Sequence, residues 1–255
     1  MLSGHRRPAT PGSSGLRRVV AFNWPRYAAG LATVALGATV PGRRAGRALR
    51  WPARAGSALA GTWIGTSLAA TWWAYDRTPL YDWRWLTALL PAEPTRYAVV
   101  SAGLDEVSET LRRRFPAAQA VLLDLHDPRL TRTGSIRRAR RRVPAPAGTR
   151  PARPDALPVL AGTLDAVFLV FAAHELRAAA ARRALFGEVA RTLRPGGRLL
   201  LVEHCRDAAT IAAYGPGAWH FYPRSEWLRL GRGAELELVA EAAMTPLIRA
   251  LAYRR

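Results

Sequence analysis

Apolar positions follow two regimes along this 255-residue chain. Up to about residue 76 they fall into two long uncharged runs. Residues 27–42 follow Asn23-Trp24-Pro25, a helix entry with proline in the first turn, and residues 55–75 lie between Arg54 and Asp76. From residue 96 onward, short apolar runs alternate with helical patterns. Residues 96–101, 120–125, 166–171 and 198–203 read as strands, and 235–240 and 247–253 as two more. Between them, Val107, Leu111 and Phe115 share one face of a helix over 105–115, and helices are expected over 133–142, 178–193 and 224–232. Residues 143–156 read as a proline-rich loop. Strands that are apolar throughout need cover on both faces, so the pattern predicts an α/β domain with a mostly parallel sheet. In such sheets ligands bind beyond the carboxyl ends of the strands.

The two early runs read as a membrane anchor. A helix over 24–40 would reach roughly 25 Å at 1.5 Å per residue, a little short of a hydrocarbon core of about 30 Å. The second run, 55–75, is long enough to span. Trp51 precedes it, and Trp72, Trp73 and Tyr75 close it, at the interface positions such rings prefer; Trp63, near the middle, departs from that pattern. Gly61 and Gly65 form a small-xxx-small pair that would admit a neighbouring helix. The chain therefore divides into a disordered basic tail (1–18), a helical membrane-anchor hairpin (19–76), an aromatic linker (77–95) and a globular domain (96–255). A first helix lying in the interface, or two helices buried in a soluble protein, are the alternatives.

Composition alters this picture in one respect. All 38 basic residues are arginine, isoleucine occurs four times and asparagine once, so part of the formal charge of +20 reflects biased codon usage. Residues 1–90 hold twelve arginines against two acids, flanking the apolar runs, and the rest of the charge lies on a mixed surface. The one concentrated patch, Arg137-Arg138 and Arg140-Arg141-Arg142, suits a solvated face or anionic lipid. With no interleaved aromatics it argues against nucleic acid. A hydrophobic content of 49% excludes a wholly disordered basic protein. A single cysteine, Cys205, excludes a disulfide framework and a paired-cysteine zinc site, and no metal-ligand spacing is visible.

Two stretches carry a specific resemblance. Leu164-Asp-Ala-Val-Phe-Leu-Val-Phe-Ala-Ala-His-Glu-Leu176 is similar to the fourth-strand motif of class I S-adenosylmethionine-dependent methyltransferases. The run from Arg183 to Glu203, with its Arg-Pro-Gly-Gly turn, resembles the helix, turn and fifth strand of the type 11-like members, which act on small or lipophilic acceptors. The resemblance implies a Rossmann-like, doubly wound, mostly parallel seven-stranded sheet with a C-terminal antiparallel strand, here preceded by two apolar, transmembrane helices. It implies S-adenosylmethionine as cofactor, held by Ser101, Ala102, Gly103 and Asp105 after the first strand, by Asp124 and Leu125 at the end of the second, and by Val170 and Phe171 at the end of the fourth. Where the family shows a D-x-G-x-G-x-G turn, this chain has Val99-Val100-Ser101-Ala102-Gly103-Leu104-Asp105, and only Gly103 remains. Asp105 either pairs with the cofactor's ammonium group or caps the helix that follows.

Methyl transfer from an activated sulfonium needs alignment more than acid–base machinery. A base is required only where the acceptor must lose a proton. His174 and Glu175, after the fourth strand, and His204, after the fifth, are the candidate catalytic residues, with Glu203 beside them. His220, Phe221 and Tyr222 fall in a loop suited to an acceptor lid, and Cys205 reads as a small buried residue. The expectation is a membrane-associated methyltransferase, its catalytic domain on the cytoplasmic side, that takes S-adenosylmethionine, a small or lipophilic acceptor and membrane lipids as partners. Its rival is a non-catalytic, membrane-tethered module of the same fold that has lost the cofactor.

Overall fold

A computed structural model describes residues 14–39, 47–128 and 133–255, and the side chains of all of these except 47–49. Most of the expected tail, residues 1–13, lies outside the described residues. Seven strands form one sheet: β1 (Arg96–Ser101), β2 (Gln119–Asp124), β3 (Arg150–Pro151), β4 (Leu164–Val170), β5 (Leu193–Glu203), β6 (Glu237–Thr245) and β7 (Ile248–Arg254). Their order is β3-β2-β1-β4-β5-β7-β6. β1 to β5 pair in parallel, and β7 runs antiparallel to both β5 and β6.

Alternation along the strands divides the interior in two. Ala98, Val100, Val167, Leu169, Leu199 and Leu201 enter one apolar cluster, whereas Tyr97, Val99, Ala166, Phe168, Leu200 and Val202 enter the other. Successive side chains of a strand point to opposite faces, so this sheet is buried on both sides, as its apolar sequence requires. The first cluster is closed by α6 (Ala179–Thr192) and α8 (Arg224–Gly233) through Leu185, Phe186 and Trp227, the second by α4 (Ser108–Arg114) through Leu111. Asp165 sits at the edge where β1 and β4 begin. Its Oδ2 accepts from the amides of Thr95 (2.7 Å) and Arg96 (2.9 Å), and Arg194 binds its other oxygen. Burial opposes the charge, but these donors outweigh it and hold the carboxyl at about 2. In the Arg-Pro-Gly-Gly turn, a Cβ on Gly197 would lie 3.0 Å from the Leu164 carbonyl, so only glycine lets β5 start beside β4.

The N-terminal region departs from expectation. α1 (Gly15–Thr39) and α2 (Arg47–Trp72) form an antiparallel hairpin, with Pro25 accommodated inside α1. Among the described residues no helix is long and apolar enough to cross a membrane, which corrects the transmembrane reading. The reason is composition: the uncharged run 55–75 is mainly Ala, Gly, Ser, Thr and Trp, with Leu59, Ile64 and Leu68 its only large aliphatic residues. Absence of charge is not hydrophobicity. The close-approach glycines lie on α1 rather than at Gly61 and Gly65. A Cβ on Gly37 would meet Ser57 Cβ at 2.4 Å, and one on Gly30 would meet Trp63 and Ile64 at 3.0 Å, whereas nothing lies within 4 Å of Gly65.

The hairpin is seated on the sheet domain. The Asp76 carboxylate accepts from the first amides of α1, Gly15 N and Leu16 N, both at 2.8 Å, satisfying orphan donors at the helix's positive end. Residues 15–18, read as tail, are therefore helical. Trp63 Nε1 donates to the Tyr214 carbonyl (2.7 Å) at the end of α7 (Ala208–Tyr214), and α5 (Gly134–Arg142) holds α1 through Arg138 to the Phe22 carbonyl. Residues 77–95 are not a linker. Leu80, Trp83 and Leu86 are fully buried in the second cluster, where they join the hairpin to the sheet.

Candidate active site

Beyond the carboxyl ends of β1 and β4, a cavity of about 200 Å³ opens between the sheet and the hairpin. Phe22, Tyr27, Trp63, Ser67 and Tyr75 line it from the hairpin. Ala102, Leu104 and Glu106 come from the turn after β1, Ile136 from α5, and Phe171, His174 and Glu175 from the segment after β4. Gly217, His220 and Phe221 close it from a 3₁₀ turn (Gly215–His220) and its exit. The hairpin is thus the roof of the cavity. Tyr27 and Trp63 stack with ring centroids 5.7 Å apart, and Tyr27 shares a hydrogen bond with Ser67 at 3.0 Å. Trp63 did not fit an interface belt because it faces the protein.

β4 ends on a constrained residue. Phe171 has φ 50°, a left-handed backbone that a bulky side chain rarely adopts. Its amide is held by the Val202 carbonyl at 2.9 Å, and its ring stacks on His204 at 5.1 Å. Such strain persists only where the surroundings fix it, and it clusters at functional sites. The turn redirects the chain so that a 3₁₀ turn, Ala173–Glu175, points two polar side chains at the cavity.

Three buried groups and the half-buried His220 then meet. Glu203, at the end of β5 and fully buried, takes the His174 amide on one oxygen (3.2 Å) and His174 Nδ1 on the other (2.6 Å). His174 Nε2 lies 3.4 Å from Glu175 Oε1, and His220 Nε2 lies 3.1 Å from the same oxygen. Burial works against charge on His174, but Glu203 and then Glu175 outweigh it, raising the ring to about 10. As these groups stand, His174 carries its proton at neutral pH and clamps two carboxylates; it is not a base in that state. Burial pushes Glu175 up, but His174 and His220 hold it well below the usual carboxylate range. Burial also raises the carboxyl of Glu106, against the pull of Arg18 from α1.

His204 lies outside the cavity lining and differs from its expected role. Its Nδ1 meets the Leu247 carbonyl at 2.8 Å and therefore carries the hydrogen, and its Nε2 accepts from the Tyr75 hydroxyl at 2.7 Å. With both nitrogens engaged, it anchors the hairpin. Burial, followed by the nearby His174 charge, lowers it to about 3. Cys205 is buried, and burial with Glu203 nearby pushes its thiol up to about 12.

The other expected positions divide in the same way. Asp105 caps α4 by accepting from Val107 N (3.0 Å) and Ser108 N (2.9 Å). Ser101 turns back to the Leu123 carbonyl at 3.2 Å, and Leu125 and Val170 are core residues. Ala102 and Phe171 line the cavity. Gly103 has φ 102°, and a Cβ there would meet Ile136 at 2.5 Å, so this last glycine of the turn is required. Asp124 accepts from Gly103 N (2.8 Å) and His126 N (2.9 Å) on Oδ1, and Arg140 of α5 binds its Oδ2.

Residues 99–201 match the family model described as a methyltransferase domain. Over this segment, which is less than half of the chain, the protein is similar to methyltransferase domains. No curated protein matches the chain at a significant level. Among solved structures, the chain is similar to geranyl diphosphate C-methyltransferase from Streptomyces coelicolor A3(2), a complex with Mg²⁺, geranyl diphosphate and S-adenosyl-L-homocysteine. The identity is 15%, with 71% of this chain and 80% of that chain covered at a TM-score of 0.51. The [4+2]-cyclase SpnF aligns over 69% of this chain and 80% of its own at 14% identity and a TM-score of 0.50. A methyltransferase from Methanosarcina mazei aligns over 64% of this chain and 93% of its own at 13% identity and a TM-score of 0.48. At these identities the first two likenesses concern the fold alone. The residues present would fit S-adenosylmethionine: an acid ends β2, a glycine turn with positive φ follows β1, and Ala102 and Leu104 line the cavity.

The roof was the part that sequence reasoning missed. Tyr27, Trp63, Ser67 and Tyr75 are polar or amphipathic groups in the middle or at the end of a supposed lipid-facing hairpin, and Trp63 at mid-span was the available signal. Nothing in the sequence pointed to Arg140 as the partner of Asp124.

Proposed function

We propose that the chain transfers a methyl group from S-adenosylmethionine to a small or lipophilic acceptor enclosed beneath the hairpin. The observation that carries this reading is two neighbouring spaces that share lining residues. Beside the inner cavity, an apolar groove of about 930 Å³ runs along the outside of the hairpin past Gly30, Thr33, Leu59 and Ala60, and Trp63, Gly217 and His220 border both. An elongated acceptor would lay its apolar tail in the groove and its reacting end beside Glu175 and His220. When bound, the cofactor supplies an activated methyl group. Asp124 would hold its ribose once Arg140 yields, the backbone of Ala102–Leu104 would lie along its methionine portion, and Glu106 would favour its positive charge. The chain's own contribution is to align the acceptor and exclude water.

Peripheral membrane association is part of the same reading. Trp24, Leu31 and Leu36 of α1 and Trp51 and Leu59 of α2 are exposed, Trp51 at 78%. The hairpin would lie on a bilayer surface by this face, on the cytoplasmic side, and receive a lipophilic acceptor directly into the groove. The test has two arms: calorimetry with S-adenosylmethionine, and transfer of label from its methyl group into organic-extractable products from a lipid extract. Binding near micromolar and labelled lipid are expected. Absence of cofactor binding at about millimolar concentration would favour the non-catalytic module. Ala60→Trp, which fills the groove, should raise KM for an elongated acceptor and leave cofactor binding unchanged.

A further inference from the structure

Glu175 poses a question that the methyl-transfer reading leaves open. The residue is 8% exposed, and its Oε2 has no hydrogen-bond partner although it is buried. A buried carboxylate oxygen without a partner is unfavourable. Beside it stand two imidazole nitrogens and a second enclosed carboxylate, Glu203. We infer that His174 Nε2, His220 Nε2 and the Glu175 carboxylate form a binding site for one divalent transition-metal ion of the zinc type, open towards the cavity.

The ligand atoms of these three residues all lie within 4.8 Å of one another. Around a tetrahedral zinc with bonds of about 2.0–2.2 Å, ligand atoms stand roughly 3.3–3.5 Å apart. The His174–Glu175 separation of 3.4 Å and the His220–Glu175 separation of 3.1 Å already approach this, and the two imidazoles, whose ligand atoms stand no more than 4.8 Å apart, would draw together on an ion. His174 is also oriented as a ligand. A metal-binding histidine usually donates its other ring hydrogen to a carboxylate or carbonyl, which fixes the ring. Glu203 takes Nδ1 at 2.6 Å and the His174 amide at 3.2 Å, so that Nε2 is directed at Glu175. The Arg177 guanidinium holds the carbonyls of both His174 (3.2 Å) and His220 (2.7 Å), coupling the two turns that carry the ligands.

Two nitrogens and one carboxylate suit zinc, iron(II) or cobalt(II), whereas magnesium and calcium prefer oxygen ligands. Three protein ligands leave a coordination position free, as catalytic sites do. All three residues line the cavity, so an oxygen or nitrogen of a bound small molecule could complete the set. The site stands independently of methyl transfer, because ion binding is measurable without cofactor or acceptor.

The test uses the full chain, stripped with chelator and dialysed. Zinc is titrated by calorimetry with elemental analysis of the product, and cobalt(II) is added in parallel to read its visible ligand-field bands. One ion per chain and an intense low-coordinate cobalt spectrum are expected. His220→Ala and Glu175→Gln should each weaken zinc binding by at least about tenfold, and Glu203→Gln by about 10–100-fold through the freed imidazole. Asp155→Asn, on an exposed loop, should leave it unchanged. Circular dichroism establishes that each variant is folded, and His220, the most exposed of the three ligands, provides the mildest substitution. A folded wild-type chain that binds no stoichiometric zinc overturns the site, leaving an acid–base cluster without an ion. So does zinc affinity unchanged in both His220→Ala and Glu175→Gln.

Discussion

His204 makes a quantitative prediction, because it is a buried imidazole locked in its neutral form. Leu247 and Tyr75 hold its two nitrogens, and burial lowers it to about 3. In the unfolded chain it titrates near 6.5. Between these values the unfolded state binds more protons than the folded state, so stability rises with pH across the window. The contribution is complete above about 6.5 and is lost progressively as pH falls towards 3. From about pH 7.5 to about pH 5 the loss amounts to roughly 2 kcal/mol. His126, lowered by burial and by Arg140, adds a slope of the same sign. His174 is raised, so its contribution is present below about 6.5 and is lost as pH climbs towards 10. Stability should therefore peak near neutrality. The assay is urea unfolding at both pH values for wild type and His204→Phe. The variant leaves Tyr75 and the Leu247 carbonyl unpaired and should be about 1–3 kcal/mol less stable at neutral pH. The gap should shrink by roughly 2 kcal/mol on acidification. Equal acid slopes in the two proteins would refute the assignment of His204 as a neutral anchor.

Asp76→Asn leaves the first amides of α1 without their carboxylate, so urea unfolding should show a loss of about 0.5–2 kcal/mol, with faster proteolysis within α1. Gly103→Ala places a Cβ 2.5 Å from Ile136 on a left-handed backbone. It should cost about 1–3 kcal/mol and reduce S-adenosylmethionine binding measured by calorimetry. Arg140→Gln frees the Asp124 oxygen that Arg140 now holds. Because Arg140 is partly exposed the pair is worth about 1 kcal/mol at most, so cofactor binding should tighten by up to about fivefold; weaker binding would mean that Arg140 itself contacts the cofactor.

The sheet was legible because its strands are apolar on both faces and its turns carry unambiguous chemistry. Leu164–Val170 and the Arg-Pro-Gly-Gly turn leave little choice of fold. β3 was not legible: its two residues, Arg150 and Pro151, sit in a segment whose prolines indicate only a loop. His174, Glu175 and Glu203 were readable as candidates because they end or follow strands whose ends were predictable. Their charge states were not, since these depend on which carboxylate faces which nitrogen. The hairpin was misread because runs without charge resemble lipid-facing helices until their small residues are weighed. In α1, glycines serve helix contact rather than membrane packing, and Tyr27 of α1 and Trp63 of α2 turn inward to line the cavity. Asp105 offered the sequence two roles, and its hydrogen bonds select the cap.

The fastenings of the hairpin bear on the order in which the molecule assembles during synthesis. α1 receives its terminal carboxylate from a residue about sixty positions later, and Trp63 reaches across 151 positions to Tyr214. Tyr75 waits for His204, which is itself positioned by Leu247, close to the last strand. The hairpin is thus synthesised before several of the residues that fasten it. Its contacts with Asp76, α5 and Tyr214 become available in turn as the chain lengthens, and the one through His204 and Leu247 comes last.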